Sequence, residues 1–131
     1  MTVGTRREAR ERALSLLYEA EAKGTTVAAV LADLPLPADP FSVDLVNGVE
    51  RQRDVIDQLI ERFSIDWTID RMPVVDRTVL RLAIYELLDH ADVPTAAVLS
   101  EAVELAKQYS TEDSGRFVNG VLAAVALEVR P

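Results

Sequence analysis

No cysteine occurs among the 131 residues, which excludes disulfides, thiolate nucleophiles and Cys-ligated metals. Histidine occurs once, as His90. It sits near a helix end in LLDHAD and reads as a charge complement to that end rather than as a base. No apolar run approaches the ~20 residues of a membrane span, and the opening residues are too polar for a secretory signal. The expectation is a soluble, cytoplasmic chain with no membrane contact. Glycine is sparse, and Gly24, Gly48, Gly115 and Gly120 fit neither a GxGxxG nor a Walker pattern. Glu101 and Glu104 stand as i, i+3 carboxylates without a matching His, a solvated face rather than a metal cage. Nothing names a nucleophile, a metal site or a cofactor, so the chain does not read as an enzyme. Positive charge is also short, with 14 Lys and Arg against 22 Asp and Glu and a net charge of -8. That balance argues against unselective duplex binding, since phosphate attraction would be confined to one patch.

What is present is a helical pattern. Apolar content of 49 % with 27 % charged residues suits one globular domain with a real core. There is no alternating strand pattern and no solenoid repeat. A first helix is expected over Thr5 to Lys23 and a short second one around Val27 to Leu34. The PLPADP stretch is a loop. One long helix should run from Phe41 to Phe63. Ser64 to Pro73 is a junction in which Ile69–Met72 has the pattern of a single helical turn, and Pro73 can open the next helix. That helix, PVVDRTVLRLAIYELLDH, is the most apolar and should be central. Helices over Thr95 to Tyr109 and from about Ser114 to the end complete an all-α fold. It has six or seven helices in two packed three-helix-like bundles, roughly 1–64 and 65–131.

The charge is unevenly placed. Residues 1–12 hold Arg6, Arg7, Arg10 and Arg12 against Glu8 and Glu11, a balance of +2. The other 119 residues then hold ten bases against twenty acids, a balance of -10. Thr5 and Glu8 form a capping-box pattern that starts the helix at about Arg6. Cations there oppose the helix dipole, so stability alone would have placed acids. On the wheel Ala9, Ala13, Leu16, Leu17 and Ala20 form the buried stripe. Arg7, Glu11, Leu14 and Tyr18 flank it, with Arg10 at the border. Guanidinium groups at one end and the Tyr18 ring farther along could hold single-stranded RNA, taking phosphates and stacking on a base. The alternative is an amphipathic helix with solvated arginines and a half-buried tyrosine.

A second feature opens the last helix. Asp113 and Ser114 look like its cap, followed by Arg116, Phe117, Asn119 and Gly120. Unpaired N–H groups and Arg116 suit a phosphate, and Phe117 a base if it faces outward. The alternative is that Ser114 only caps the helix, Phe117 fills the core and Gly120 permits close helix contact.

Three blocks, RREARERALSLLYEAE (6–21), DRTVLRLAIYELL…DVP (76–94) and EAVELAKQYSTEDSGRFVNGVL (101–122), resemble the NusB family of bacterial transcription antitermination factors. Their order and spacing agree, and the last block is the most specific. The resemblance implies an all-helical, non-catalytic protein with a NusB-like fold. It implies binding of the single-stranded boxA element of ribosomal RNA leaders jointly with NusE, a small-subunit ribosomal protein. The complex would support RNA polymerase elongation through ribosomal RNA operons. Carried over by position, the RNA surface falls on Arg6, Arg7, Arg10, Tyr18, Asp113, Arg116 and Phe117, and the NusE surface includes Asp76. Glu86 joins Asp76 as an acidic group for a basic partner. Some family members form homodimers over the basic helix. Glu8 interrupts the arginine run, and Gly115 stands where longer polar side chains occur. Two other classes remain: a helical scaffold that binds only proteins, and the RNA-binding appendage of ribosomal RNA cytosine methyltransferases. The enzyme of the latter needs a cysteine and a nucleotide-binding α/β domain, which this sequence does not contain.

Overall fold

The structure, a computed structural model, describes residues 5–65 and 67–131. Seven α-helices occur among them: α1 (Arg6–Lys23), α2 (Val27–Ala32), α3 (Pro40–Arg51), α4 (Arg53–Phe63), α5 (Val74–Asp89), α6 (Thr95–Tyr109) and α7 (Glu112–Val129). A single 3-10 turn, Ile69–Arg71, precedes α5. No strand occurs among the described residues, and none of their helices is long and apolar enough to cross a membrane.

Local chemistry sets most helix ends. Thr5 and Glu8 make the expected capping box: the Glu8 N–H donates to Thr5 Oγ1 (3.1 Å) and the Thr5 N–H to Glu8 Oε1 (3.2 Å). Thr26, Asp39 and Thr111 cap α2, α3 and α7 with a single backbone bond each, their side chains accepting from the N–H groups of Ala29, Ser42 and Ser114. α1 ends on Gly24 at φ 61°, a left-handed position that glycine takes without a Cβ clash.

Two boundaries differ from the sequence reading. The long helix expected from Phe41 to Phe63 is two helices, broken at Gln52 (φ -107°, ψ 19°). The break lets α3 pack against α1 and α5 while α4 turns toward α5 and α7. The α7 cap is Thr111, not Asp113 or Ser114, so both of those residues lie within the first turn. Asn119 is exposed and needs no internal partner.

The hub is α5. It contacts α1, α3, α4, α6 and α7, and every residue from Thr78 to Leu87 is buried. A helix surrounded on all sides must be apolar on all sides, yet α5 carries Asp76, Arg81 and Glu86 into this environment. Each is met by a different neighbour. Ser114 of α7 donates to Asp76 Oδ2 (2.9 Å). Arg81 donates to both carboxylate oxygens of Asp57 on α4 (2.8 and 3.1 Å). Glu86 accepts two bonds from Arg10 of α1 (2.8 and 2.7 Å). The Arg81–Asp57 and Arg10–Glu86 pairs therefore help set how α4 and α1 sit around the hub, because an unpaired buried charge is far costlier than a paired one, while Asp76 is tied to α7 through the Ser114 hydroxyl alone. The C-terminal end of α5 is held by Arg130. Its guanidinium donates to the carbonyls of Glu86, Leu87, His90 and Val93 at 2.7–3.1 Å. His90 itself sits with Nε2 2.6 Å from Asp44 Oδ2, its ring edge-on to Phe41 and Tyr85. Burial and the hydrogen bond to Asp44 push the Tyr85 phenol pKa up.

Candidate nucleic-acid interface

The outer face of α1 presents Arg6, Arg7 and Tyr18 to solvent. Arg6 lies 4.4 Å above the Phe41 ring and 3.9 Å from Asp92. Arg7 Nε donates to Glu101 Oε2 on α6 at 3.0 Å. Both arginine side chains stay more than half exposed. Pairs of this kind are worth about 0–1 kcal/mol, so a phosphate can replace either acid at small cost.

Arg10 departs from the sequence reading. Its side chain turns inward, is 6 % exposed, and is consumed by Glu86, itself 2 % exposed. Burial alone would lower the guanidinium pKa, but the hydrogen bonds and attraction from Glu86, with Glu101 adding to them, leave it raised. Arg10 thus commits Nε and one terminal nitrogen to Glu86 and is turned away from solvent, so it is not placed to take a phosphate, and Glu86 is not placed to meet a basic partner. Both drop out of the surface, because each satisfies the other inside the core.

Tyr18 is 47 % exposed, and a second ring stands near it that sequence reasoning did not single out. Tyr109, the last residue of α6, is also 47 % exposed and donates its hydroxyl to Glu11 Oε2 of α1 (2.6 Å). That hydrogen bond raises the Tyr109 pKa. The two tyrosines, with Leu14, Ser15 and Val75, line a groove of about 430 Å³. The signal available from sequence was an aromatic residue at the polar end of a helix, which periodicity alone does not flag.

The residues next to Val75 and Tyr109 line a neighbouring cleft of about 530 Å³. Its walls are Trp67 and Phe117, whose ring centroids lie 5.3 Å apart at 56°, and its rim includes Asp113. Trp67 is 42 % exposed and Phe117 half-buried. Asp113 and Arg116, both largely exposed, pair with each other. Asp76 lies at the floor of this cleft rather than on an open face, only 1 % exposed. Two grooves thus share one side of the molecule, joined through consecutive residues on α5 and at the end of α6. Four aromatic side chains border them.

Comparison with known proteins places this geometry. A family model described as the NusB family matches residues 7–127. The chain belongs to the NusB family. It is 52 % identical over 124 residues to the transcription antitermination protein NusB of Acidothermus cellulolyticus, covering 92 % of this chain and 86 % of that protein. It is 44 % identical over 132 residues to the protein of the same name from Thermobifida fusca, covering 98 % and 92 %. Among solved structures, T. maritima NusB matches with a TM-score of 0.89 at 35 % identity, over 99 % of this chain and 96 % of that one. A chain of the crystal structure of antitermination factors NusB and NusE in complex with dsRNA matches with a TM-score of 0.80 at 30 % identity, over 94 % and 96 %. The NusB resemblance read from the three sequence blocks and the all-helical fold are both borne out.

Proposed function

We propose that this chain is a non-catalytic transcription antitermination factor. It binds the single-stranded boxA element of ribosomal RNA leader transcripts together with NusE, and so supports RNA polymerase elongation in the cytoplasm. The observation that carries this reading is the near full-length kinship with proteins named transcription antitermination protein NusB. The proposed RNA surface consists of Arg6, Arg7 and Tyr18 on α1, and Asp113, Arg116 and Phe117 on α7, with Tyr109 added between them. Exposed rings beside replaceable guanidinium pairs suit an unpaired strand, whose bases are free to stack while cations take its phosphates. The Asp113–Arg116 pair can open to release Arg116 toward a phosphate, since both side chains are solvated.

The test is a titration of the purified chain with a boxA oligonucleotide, with and without NusE, beside a sedimentation run on the free protein. The pair should bind more tightly than either protein alone. Tyr18→Ala should cost about 1–3 kcal/mol of RNA affinity, the worth of one stacked base. No RNA binding by the chain, alone or with NusE, would overturn the reading in favour of a protein-only scaffold.

A further inference from the structure

Beside the break between α3 and α4 lies a cavity of about 290 Å³. Its walls include Leu17 and Glu21 of α1, Val27 of α2, Glu50 and Arg53 on either side of the break, and Arg81 of α5. The Arg81 side chain is more than nine-tenths buried, and Asp57 takes its Nε and Nη2 (2.8 and 3.1 Å). Nη1 has no hydrogen-bond partner among the described residues. It is not sealed either, because the one sealed side-chain polar atom without a partner among them is Asp76 Oδ1. A buried guanidinium therefore keeps two N–H donors open to the cavity it lines. Arg53 stands one turn before Asp57 on α4 and adds a second guanidinium to the same side. Its Nη1 lies 3.2 Å from Glu50 Oε1 in a solvated pair that another carboxylate can replace at small cost. α4 also begins at Arg53 without a side-chain cap, so the positive end of its dipole adds to these cations. The opposite sign comes from α1. Glu21 is held by Arg77 through Oε1, and its Oε2 has no partner among the described residues. It stands in the last turn of α1, at the negative end of that helix's dipole. Side-chain charge and helix termini thus run the same way, positive on the α4 side and negative on the α1 side.

We propose that this cavity binds a small zwitterion, a free α-amino acid with an aliphatic side chain. Its carboxylate takes Arg81 Nη1 and Arg53, its ammonium takes Glu21 Oε2, and its side chain covers Leu17 and Val27. Size restricts the ligand first, since the volume stands at the foot of the range for ligand sites. Charge restricts it next. Arg53 and Arg81 balance Glu21 and Glu50 around the walls, so a phosphate would meet two carboxylates and a simple amine two guanidiniums. A zwitterion meets each sign with its opposite. The proposal is independent of the RNA-binding reading, because the cavity shares no lining residue with the grooves beside Tyr18 and Trp67.

The experiment follows thermal unfolding of the full chain by circular dichroism in about 10 mM of each of four probes. These are L-leucine, isocaproate (leucine without its amino group), isoamylamine (leucine without its carboxylate) and inorganic phosphate. Leucine should raise Tm by about 2 °C or more, and each of the others should give less than half that rise. In a titration calorimeter, Arg53→Gln and Glu21→Gln should each weaken leucine binding about fivefold or more, while helicity and boxA binding stay as in the parent. No response to leucine would overturn the proposal. A rise as large from isocaproate or phosphate would mark a simple anion site and overturn it, and one from isoamylamine would do the same for a cation site. Leucine affinity unchanged in a folded Arg53→Gln would place the ligand elsewhere on the chain. The four-probe comparison uses the unaltered protein, so it decides even if a variant failed to fold.

Discussion

The Arg10–Glu86 pair gives the sharpest test of how this fold is held. Both side chains are almost fully buried and joined by two short parallel hydrogen bonds. Removing either partner strands the other charge in the core, at a cost of about 3–5 kcal/mol. A domain of this size has about 5–15 kcal/mol in total, so Arg10→Met or Glu86→Leu alone should leave a marginal protein. Replacing both removes two charges together and fills similar volume, a change that is often neutral or stabilising. The double variant should therefore recover to within about 1 kcal/mol of the parent or exceed it, giving a coupling energy well above ~1 kcal/mol. Urea unfolding followed by circular dichroism measures this. With an m-value of about 1–3 kcal/mol/M, each single variant should lower the midpoint by on the order of 2 M. The double variant should also bind boxA RNA as the parent does, because neither group faces the proposed RNA surface. Single losses below about 1 kcal/mol, as for a solvated pair, would refute the burial argument. A stable double variant that lost RNA binding would return Arg10 to the interface.

Three further outcomes follow from the same geometry. With Arg6, Arg7 and Arg116 as the available cations, the log–log salt slope of RNA binding should be roughly -2, at about 0.7 per phosphate for single strands; Arg7→Glu should flatten it and leave helicity intact. Asp39 caps α3 through the Ser42 N–H (3.2 Å), and although burial pushes its pKa up, the bonds from Ser42 outweigh this and lower it. Its stabilisation is therefore present above the unfolded value of about 3.9 and disappears as pH falls through the lower folded value. Asp39→Ala should cost about 0.5–2 kcal/mol at neutral pH, a gap that narrows in acid melts. A Cβ at Gly48 would clash with the hydroxyl end of the Tyr85 ring, so Gly48→Ala should lower stability by about 1–3 kcal/mol or more, read as a reduced melting temperature. Gly120→Ala, with nothing near its Cβ, is the matched control.

Much of the fold was legible because it is local. Thr5 and Glu8 announce the first helix within four residues, and the polar TT pair after Gly24 announces the second. The α5 run is the most apolar of the helices and carries apolar residues on more than one side, which marked it as central. The break at Gln52 was not legible: neither proline nor glycine stands there, and what favours two helices is the separate packing of α3 and α4 against different neighbours. In the site, Tyr18 proved exposed as its flank position suggested. Arg10 stood at the border of the buried stripe, and what decides its inward turn is Glu86, 76 residues away. Tyr109 escaped notice for the same reason, since its place beside Tyr18 comes from the packing of the end of α6 toward α1.

Helix identity, capping and the polarised charge thus follow from interactions spanning a few residues, and a linear chain displays these directly. Which arginine is free, which carboxylate is buried and which rings border one groove depend on contacts between segments far apart in the chain. Those contacts exist only after α5 has gathered its neighbours, because burial is a property of the assembled core and not of any residue in it.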